Sequence, residues 1–271
     1  MKKVILLDMD GTITPPREAI EPSTVHVLNS VLAGGYELGI VSGSNLDYMN
    51  EQLAGWDRWV NDCVKIHKYP VNGTQGLNMR EEYTRFEWDW LIHDIKSADK
   101  RMRLSLGGKY IREPEEIIQY RGSAINWCPI GRDANLKQRE FFIHLDRAFN
   151  FRKNFLEQMK TRPLFHEKTV IKLGGQTSFD IYPSGWDKSY VFKDFQGFER
   201  IYFIGDKCEP MGNDYEGYVK AGDYGIQTDG PRSTRRILTE ILERSVGVDE
   251  VSSEVASSSQ GDRDNRRSER V

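Results

Sequence analysis

The sequence predicts an α/β protein in which a parallel sheet is interrupted by an inserted α+β domain. Two largely apolar runs, Val4–Leu7 and Tyr36–Val41, indicate buried strands, and a helix-spaced apolar pattern between them ends at Gly34. A third apolar run returns at Arg200–Ile204. Alternating strands and helices predict a parallel sheet with right-handed crossovers. The long stretch before the third run breaks the alternation, which indicates an insertion.

The insertion is rich in aromatic residues and arginine and mixes helical with strand-like patterns. We therefore place the two parts of the core at 1–78 and 184–244, the inserted domain at 79–183 and a disordered Ser-rich tail at 245–271. The predicted helices are Thr84–Ser97, Leu136–Lys160 and Ser233–Leu242, and the remaining predicted strands are Glu116–Ile125, Thr169–Leu173, Ser178–Tyr182 and Asp223–Gln227.

Composition limits the classes of function. The chain has 38 Lys and Arg against 41 Asp and Glu, a balance that argues against a nucleic-acid partner held by bulk charge. Its 3 cysteines lack CxxC spacing, so we expect neither a disulfide framework nor a zinc site, and we expect a cytoplasmic location. No run approaches the roughly 18 apolar residues of a membrane helix, so no membrane partner is expected. The first apolar run stops at Asp8, which favours a strand over an export signal.

The most informative motif is DMDGT, which begins at Asp8 directly after the first predicted strand. Chemistry in open α/β sheets is placed at the carboxyl ends of strands. Of two carboxylates spaced i and i+2, one can attack or bind metal while the other transfers protons. Asp8 is therefore the candidate nucleophile and Asp10 the candidate general acid and base. The motif resembles the first motif of the haloacid dehalogenase (HAD) superfamily of phosphoryl-transfer enzymes, which implies a HAD-like Rossmannoid core.

Further polar residues stand where predicted strands end or where the chain re-enters the core. Ser44, in the SGSN run after the second strand, is part of either an anion seat or a helix N-cap. Lys188 is a candidate to link the Asp8 carboxylate to the transferred phosphate. Mg²⁺ prefers oxygen ligands, and we expect it near Asp8 and Asp206. The candidate metal ligands are Asp8, Asp10 through its backbone carbonyl, Asp206, Asn213 and Asp214.

Longer motifs narrow the resemblance to one family. PIGR at Pro129, GGQTSFD at Gly174, GWDK at Gly185 and GDK with a later GND from Gly205 resemble the eukaryotic-type phosphomannomutases. The resemblance runs over about residues 3–242 and is weakest at 74–118. An insertion after the second motif is typical of a C2b-type cap.

This resemblance implies an isomerase that interconverts mannose 6-phosphate and mannose 1-phosphate through an aspartyl-phosphate and a hexose 1,6-bisphosphate. It implies Mg²⁺ as cofactor, the bisphosphate as activator and a homodimer formed through the cap. It also implies that the product is used in GDP-mannose synthesis. The implied substrate contacts are the cap arginines Arg121, Arg132 and Arg139 for the phosphate that is not transferred, Asn126, Ser178 and Asp180 for the sugar or its phosphate, and Arg17 at the reacting end.

Other interpretations stay open at the level of sequence. A Mg²⁺-dependent sugar-phosphate phosphatase would use Asp8 and Asp206 without needing a trio of cap arginines. An inactive binding protein on the same scaffold would be marked by loss of one of those acids. Lys220 stands where relatives carry an acidic ligand of a second cation, and we hypothesise that its ammonium replaces that ion, a point that activity across potassium and sodium concentrations will test. The sequence does not distinguish mannose from glucose phosphates.

Overall fold

The computed structural model describes residues 2–54, 56, 66–105 and 116–244, which form two sheets with their helices. The strands are β1 (Lys3–Asp8), β2 (Tyr36–Val41), β3 (Ile66–Tyr69), β4 (Ile118–Tyr120), β5 (Ile125–Trp127), β6 (Thr169–Gly174), β7 (Ser178–Pro183), β8 (Arg200–Gly205) and β9 (Gly225–Gln227). The helices are α1 (Pro22–Ala33), α2 (Leu46–Gln52), α3 (Arg85–Ser105), α4 (Leu136–Phe149), α5 (Phe151–Lys160), α6 (Pro163–Glu167), α7 (Tyr215–Ala221) and α8 (231–244).

The first sheet is parallel, with the strand order β3-β2-β1-β8-β9. Its central strand β1 is fully buried over Val4–Leu7, as expected for a strand covered by other elements on both faces. In the register, Asp8 pairs with Val41 of β2, and Leu7 pairs with Ile204 of β8. The carboxyl ends of these three strands therefore lie side by side, and the loops that follow them meet at one edge of the sheet.

The second sheet is antiparallel, with the order β4-β5-β7-β6, and it lies in the chain between β3 and β8. It has its own apolar core, in which Trp127 stacks on Phe179 with ring centroids 4.5 Å apart. Helices α3 to α6 accompany it in the chain. The predicted α/β fold class, a parallel core with an inserted α+β unit that we call the cap, is confirmed by these two sheets. The domain limits given above stay predictions.

Several element boundaries differ from those predicted. The single predicted helix Leu136–Lys160 is two helices, because Asn150 adopts a left-handed conformation with φ 50°. The predicted strand Glu116–Ile125 is divided into β4 and β5 by a tight turn, in which the Arg121 amide donates to the Ala124 carbonyl at 2.8 Å.

Other differences concern lengths and coverage. Helix α3 continues to Ser105, eight residues beyond the predicted end at Ser97, while β9 begins only at Gly225 because a 3₁₀ turn occupies the residues before it. Within the described ranges, no helix combines the length and apolar character needed to cross a membrane. The predicted disordered tail 245–271 lies outside the described residues.

Candidate active site

Three carboxylates meet at the carboxyl edge of the parallel sheet. Asp8 ends β1, Asp206 follows β8, and Asp214 comes just before α7. One oxygen of each lies within 4.8 Å of the others. Asp8 and Asp214 are buried and Asp206 is half-buried. The structure thus brings together three of the predicted metal ligands.

Lys188 lies inside this acidic cluster. Its side chain is fully buried, and its Nζ donates to Asp8 Oδ1 and, at 2.5 Å, to Asp214 Oδ1. Burial alone would lower the pKa of Lys188, but Asp214 and Asp8 outweigh it and raise that pKa. Burial would raise the pKa of Asp214, yet the ammonium outweighs it and lowers that pKa. Since the Lys207 amide occupies Asp214 Oδ2 at 2.9 Å, Asp214 is engaged chiefly as the ion-pair partner of Lys188.

One ammonium does not balance the remaining acids. Burial, followed by the charge of Asp214, raises the pKa of Asp8. Burial also raises the pKa of Asp206. A bound divalent cation would favour both carboxylates in their ionised form. Among the described residues, Asp206 Oδ1 and Asn213 Oδ1 are buried oxygens without a hydrogen-bond partner. Unpartnered carboxylate and amide oxygens of this kind fit Mg²⁺.

The glycine of the DMDGT motif has a steric role in this arrangement. Gly11 has φ +88°, and a Cβ at this position would lie 2.6 Å from Asp206 Oδ2. Glycine therefore allows the turn after β1 to approach the carboxylate that follows β8. The next residue, Thr12, donates its hydroxyl to Asp8 Oδ2 at 3.0 Å and orients the candidate nucleophile.

Asp10 is held by donors that the sequence analysis missed. Its Oδ1 accepts from Gln52 Nε2 at 3.1 Å, from the Arg17 amide at 3.0 Å and from the Tyr48 hydroxyl at 3.4 Å. Gln52 also donates to Tyr48 at 2.7 Å and accepts from the hydroxyl of Thr14 at 3.0 Å. The signal available in the sequence was the i, i+4 spacing of a tyrosine and a glutamine on the helix that follows the SGSN run.

The SGSN run forms the loop between β2 and α2. Asn45 is the N-cap of α2, because its Oδ1 accepts from the Tyr48 amide at 3.0 Å. Ser42 accepts from the Ser44 amide at 3.1 Å within the loop. The capping alternative considered for this run therefore applies to Asn45, and the anion-binding role of Ser44 stays a prediction.

The cap sheet collects the predicted sugar contacts in one network. Asn126 Nδ2 donates to Ser178 Oγ at 3.0 Å and to Asp180 Oδ1 at 2.7 Å. Its Oδ1 accepts from Arg132 Nη1 at 3.1 Å. In the register, Asn126 pairs with Asp180, so their side chains share a face of the sheet.

The four predicted arginines are close enough for their charges to influence one another. Arg121 donates through Nη1 to the carbonyl of Gly43, in the SGSN loop, at 3.5 Å. Burial and then Arg132 lower the pKa of Arg121, whereas Asp180 opposes that shift. Burial lowers the pKa of Arg139, to which Arg17 and Arg132 add. These guanidinium groups repel one another, so the region that they share favours the binding of an anion.

Lys220 is a member neither of the acidic cluster nor of the group of four arginines. It is exposed in the last turn of α7. The hypothesis that it replaces a second cation stays a prediction.

Comparison with known proteins identifies the family of the chain and its fold. The family model described as eukaryotic phosphomannomutase matches residues 27–244. The phosphomannomutase of Drosophila melanogaster is 33% identical over 89% of this chain and 95% of its own length. That of Saccharomyces cerevisiae is 31% identical over 88% and 94%. The solved structure of a haloacid dehalogenase-like hydrolase from Bacteroides thetaiotaomicron shares the fold, with a TM-score of 0.52 and 16% identity over 89% of this chain and 100% of that one. The chain belongs to the eukaryotic phosphomannomutase family.

Proposed function

We propose that the protein interconverts mannose 6-phosphate and mannose 1-phosphate by way of a hexose 1,6-bisphosphate. The observation that carries this proposal is the meeting of two oppositely charged groups of residues. An acidic cluster with one lysine lies at the edge of the parallel sheet, and Arg121 of the cap contacts Gly43 in the neighbouring loop after β2 at the same edge. A substrate with a phosphate at each end suits a cleft of this kind.

Asp8 and Asp10 are the residues proposed to carry the chemistry. The cycle starts with Asp8 phosphorylated by the bisphosphate activator. The 6-hydroxyl of mannose 1-phosphate attacks this phosphorus, the bond from phosphorus to Asp8 breaks, and the hydroxyl proton passes to Asp10. The resulting bisphosphate turns round in the cleft. Asp8 then attacks the phosphorus carried by the C1 oxygen, the bond between that phosphorus and the C1 oxygen breaks, and Asp10 returns the proton to the C1 oxygen, so that mannose 6-phosphate forms and Asp8 is phosphorylated again.

The other core residues are proposed to manage charge around this transfer. Lys188, oriented by Asp214, offsets the negative charge of Asp8 beside the incoming phosphate. Mg²⁺, when bound, neutralises the charge of the phosphoryl oxygens. The residues that would hold it are Asp8, Asp206 and Asn213, with the backbone carbonyl of Asp10.

The cap residues are proposed to hold the phosphate that is not being transferred. Arg121 and Arg132 offer guanidinium forks that match a phosphate dianion, and Arg139 adds to their charge. Asn126 keeps Arg132 beside Asp180, the candidate sugar contact. The mutase proposal differs from a phosphatase chiefly in requiring this second, fixed phosphate site.

The assembly and cellular role belong to the same proposal. We infer a homodimer through the cap, supported by the exposed aromatic side chains Phe86 and Trp90 of α3, which stack with centroids 6.1 Å apart. We further infer a cytoplasmic location and GDP-mannose synthesis as the use of mannose 1-phosphate.

The test is a reaction of the purified protein with mannose 1-phosphate, Mg²⁺ and a trace of hexose 1,6-bisphosphate. Mannose 6-phosphate with little free phosphate supports the mutase. Stoichiometric free phosphate instead identifies a phosphatase, and the absence of both products identifies a binding protein. A parallel reaction with glucose 1-phosphate determines which sugar is preferred.

A further inference from the structure

A buried lysine of the cap contacts the core away from the arginines. Lys172, in β6, lies with Nζ 2.7 Å from Glu216 Oε1 and 3.1 Å from the Pro210 carbonyl. Its side chain is only 7% exposed, and that of Glu216 is 27% exposed. Lysine is rarely buried unless it is paired. The mechanism proposed above assigns no role to either residue of this pair.

The sheet register connects Lys172 to the predicted sugar contacts. Lys172 pairs with Asp180, which pairs in turn with Asn126, so the three side chains form one row across the cap sheet. Asn126, at one end of this row, accepts a hydrogen bond from Arg132. The face of the cap sheet that carries the predicted substrate residues is therefore the face that Lys172 joins to the core.

The core partners of Lys172 belong to the segment that carries the acidic cluster. Pro210 lies in the loop between Asp206 and Asp214, and Glu216 is in the first turn of α7, two residues beyond Asp214. The ammonium also lies 5.6 Å from the ring centre of Tyr215. Lys172 thus joins the cap sheet to the loop between Asp206 and Asp214 through its hydrogen bond to Pro210, and to α7 through its ion pair with Glu216.

The burial of this pair links its charge balance to the position of the cap. Removing or reversing one partner leaves an uncompensated charge between cap and core, where water is scarce. Moving the cap away hydrates that charge, so the loss is expected to shift the population toward an open cleft. The intact pair has the opposite effect and favours the closed arrangement.

We propose that Lys172 and Glu216 are positioning residues that keep the cap closed while the bisphosphate turns round. This inference rests on the mutase activity proposed above, and it adds two residues that decide whether the bisphosphate stays in the cleft. A cap that opens too early releases the bisphosphate or admits water to phosphorylated Asp8. The pair therefore sets how much bisphosphate must be supplied and how much free phosphate is lost per turnover.

A charge-reversal cycle tests the pair. Lys172→Glu is expected to raise the free phosphate released per mannose 6-phosphate, and the bisphosphate concentration for half-maximal rate, by about tenfold. Lys172→Glu combined with Glu216→Lys is expected to return both quantities toward wild type. Lys168→Glu is the matched control, because Lys168 pairs with Glu87 inside the cap at 3.0 Å, and it is expected to change neither.

Small-angle scattering of the same proteins without substrate separates this inference from the proposed function. Lys172→Glu is expected to enlarge the radius of gyration and the double variant to restore it, even if the wild type proves to be a phosphatase. Unchanged scattering and phosphate release in Lys172→Glu, or a double variant as impaired as the single one, would overturn the inference. If Lys172→Glu does not fold, Lys172→Met is compared with Lys172→Met combined with Glu216→Gln, which removes both charges of the pair and is expected to be less impaired.

Discussion

The acidic cluster of the core and the arginine group of the cap have an excess of opposite charges. In the core, Asp8, Asp206 and Asp214 surround one lysine, so negative charge is in excess and a cation is needed. In the cap, Arg121 and Arg139 have lowered pKa values, caused first by burial and then by neighbouring guanidinium groups. Positive charge is in excess there, and an anion is needed.

The two regions also differ in the structural elements that carry their side chains and in how deeply those side chains are buried. The acids stand at the ends of buried parallel strands, and Lys188 is fully enclosed. The arginines project from turns and a helix, and Arg132 is exposed. A rigid acidic site suits the breaking and forming of bonds, whereas a more open basic site suits binding and release of a phosphate. Substitutions in the two regions should therefore affect different kinetic quantities.

The largest expected effect is that of Asp8→Asn, which keeps the shape of the proposed nucleophile and removes its charge. Mannose 6-phosphate formation and phosphate release should both fall by about 10⁶-fold, to the limit of detection. Binding of mannose 1-phosphate, measured by calorimetry, should persist because the cap arginines are intact. Asp47→Asn, at an exposed position of α2, is the control. Substantial activity in Asp8→Asn would contradict the division of roles.

The next effect concerns Lys188→Met, which leaves Asp8 and Asp214 as buried, unpaired neighbours. The free energy of unfolding should fall by about 3–5 kcal/mol, because a buried ion pair loses one partner. Mg²⁺ should raise the melting temperature of this variant more than that of the wild type, since the ion supplies positive charge beside the same acids. Thermal unfolding with and without Mg²⁺ measures both quantities.

Lys193→Met is the matched control for that experiment. Lys193 lies on the same 3₁₀ helix as Lys188, which spans Lys188–Phe195, but it is exposed. Its ammonium lies 3.6 Å from the ring centre of Tyr190, a contact worth about 0.5–1 kcal/mol at an exposed site, so its loss should lower stability far less than that of Lys188 and leave the effect of Mg²⁺ unchanged. Equal stability of Lys188→Met and Lys193→Met would show that the buried ammonium does not balance the acidic cluster.

The core could be predicted from sequence because several local signals agree there. An apolar run, a glycine and two spaced acids all point to a strand ending at Asp8, and β2 was predicted with the same limits as observed. The closeness of Asp206 to Asp8 followed from parallel strands sharing an edge. The ion pair of Asp214 with Lys188 did not follow, because it depends on how a loop closes over the sheet.

The cap was less predictable because its limits depend on single backbone conformations. Asn150 ends α4 by adopting positive φ, which no apolar periodicity reveals. The network of Gln52 with Asp10 was missed for a different reason, since a buried glutamine at a helix end resembles many others in sequence. The contact of Lys172 with Glu216 joins residues 44 positions apart, on a strand and a helix that no local pattern relates.

A smaller effect is expected for Arg132→Lys, which keeps the positive charge and removes the guanidinium fork. KM for mannose 1-phosphate should rise about tenfold with less change in kcat, because the loss concerns binding of the phosphate that is not transferred. Hydrolysis of acetyl phosphate, a donor without a second phosphate, should be unaffected. Arg147→Lys, at an exposed position of α4, is the control. A fall in acetyl phosphate hydrolysis would place Arg132 with the reacting groups instead.

The smallest effect is expected for Gln52→Met, which keeps the volume of a buried side chain and removes the amide that donates to Asp10. A single hydrogen bond contributes about 0.5–1.5 kcal/mol, so kcat should fall by about two- to tenfold with KM unchanged. Tyr48→Phe should have a lesser effect, because its hydroxyl is 3.4 Å from the same oxygen. Glu51→Met, exposed on the same helix, serves as control. If Gln52→Met instead raised KM alone, Gln52 would act on substrate binding, and Asp10 would be oriented by the Arg17 amide.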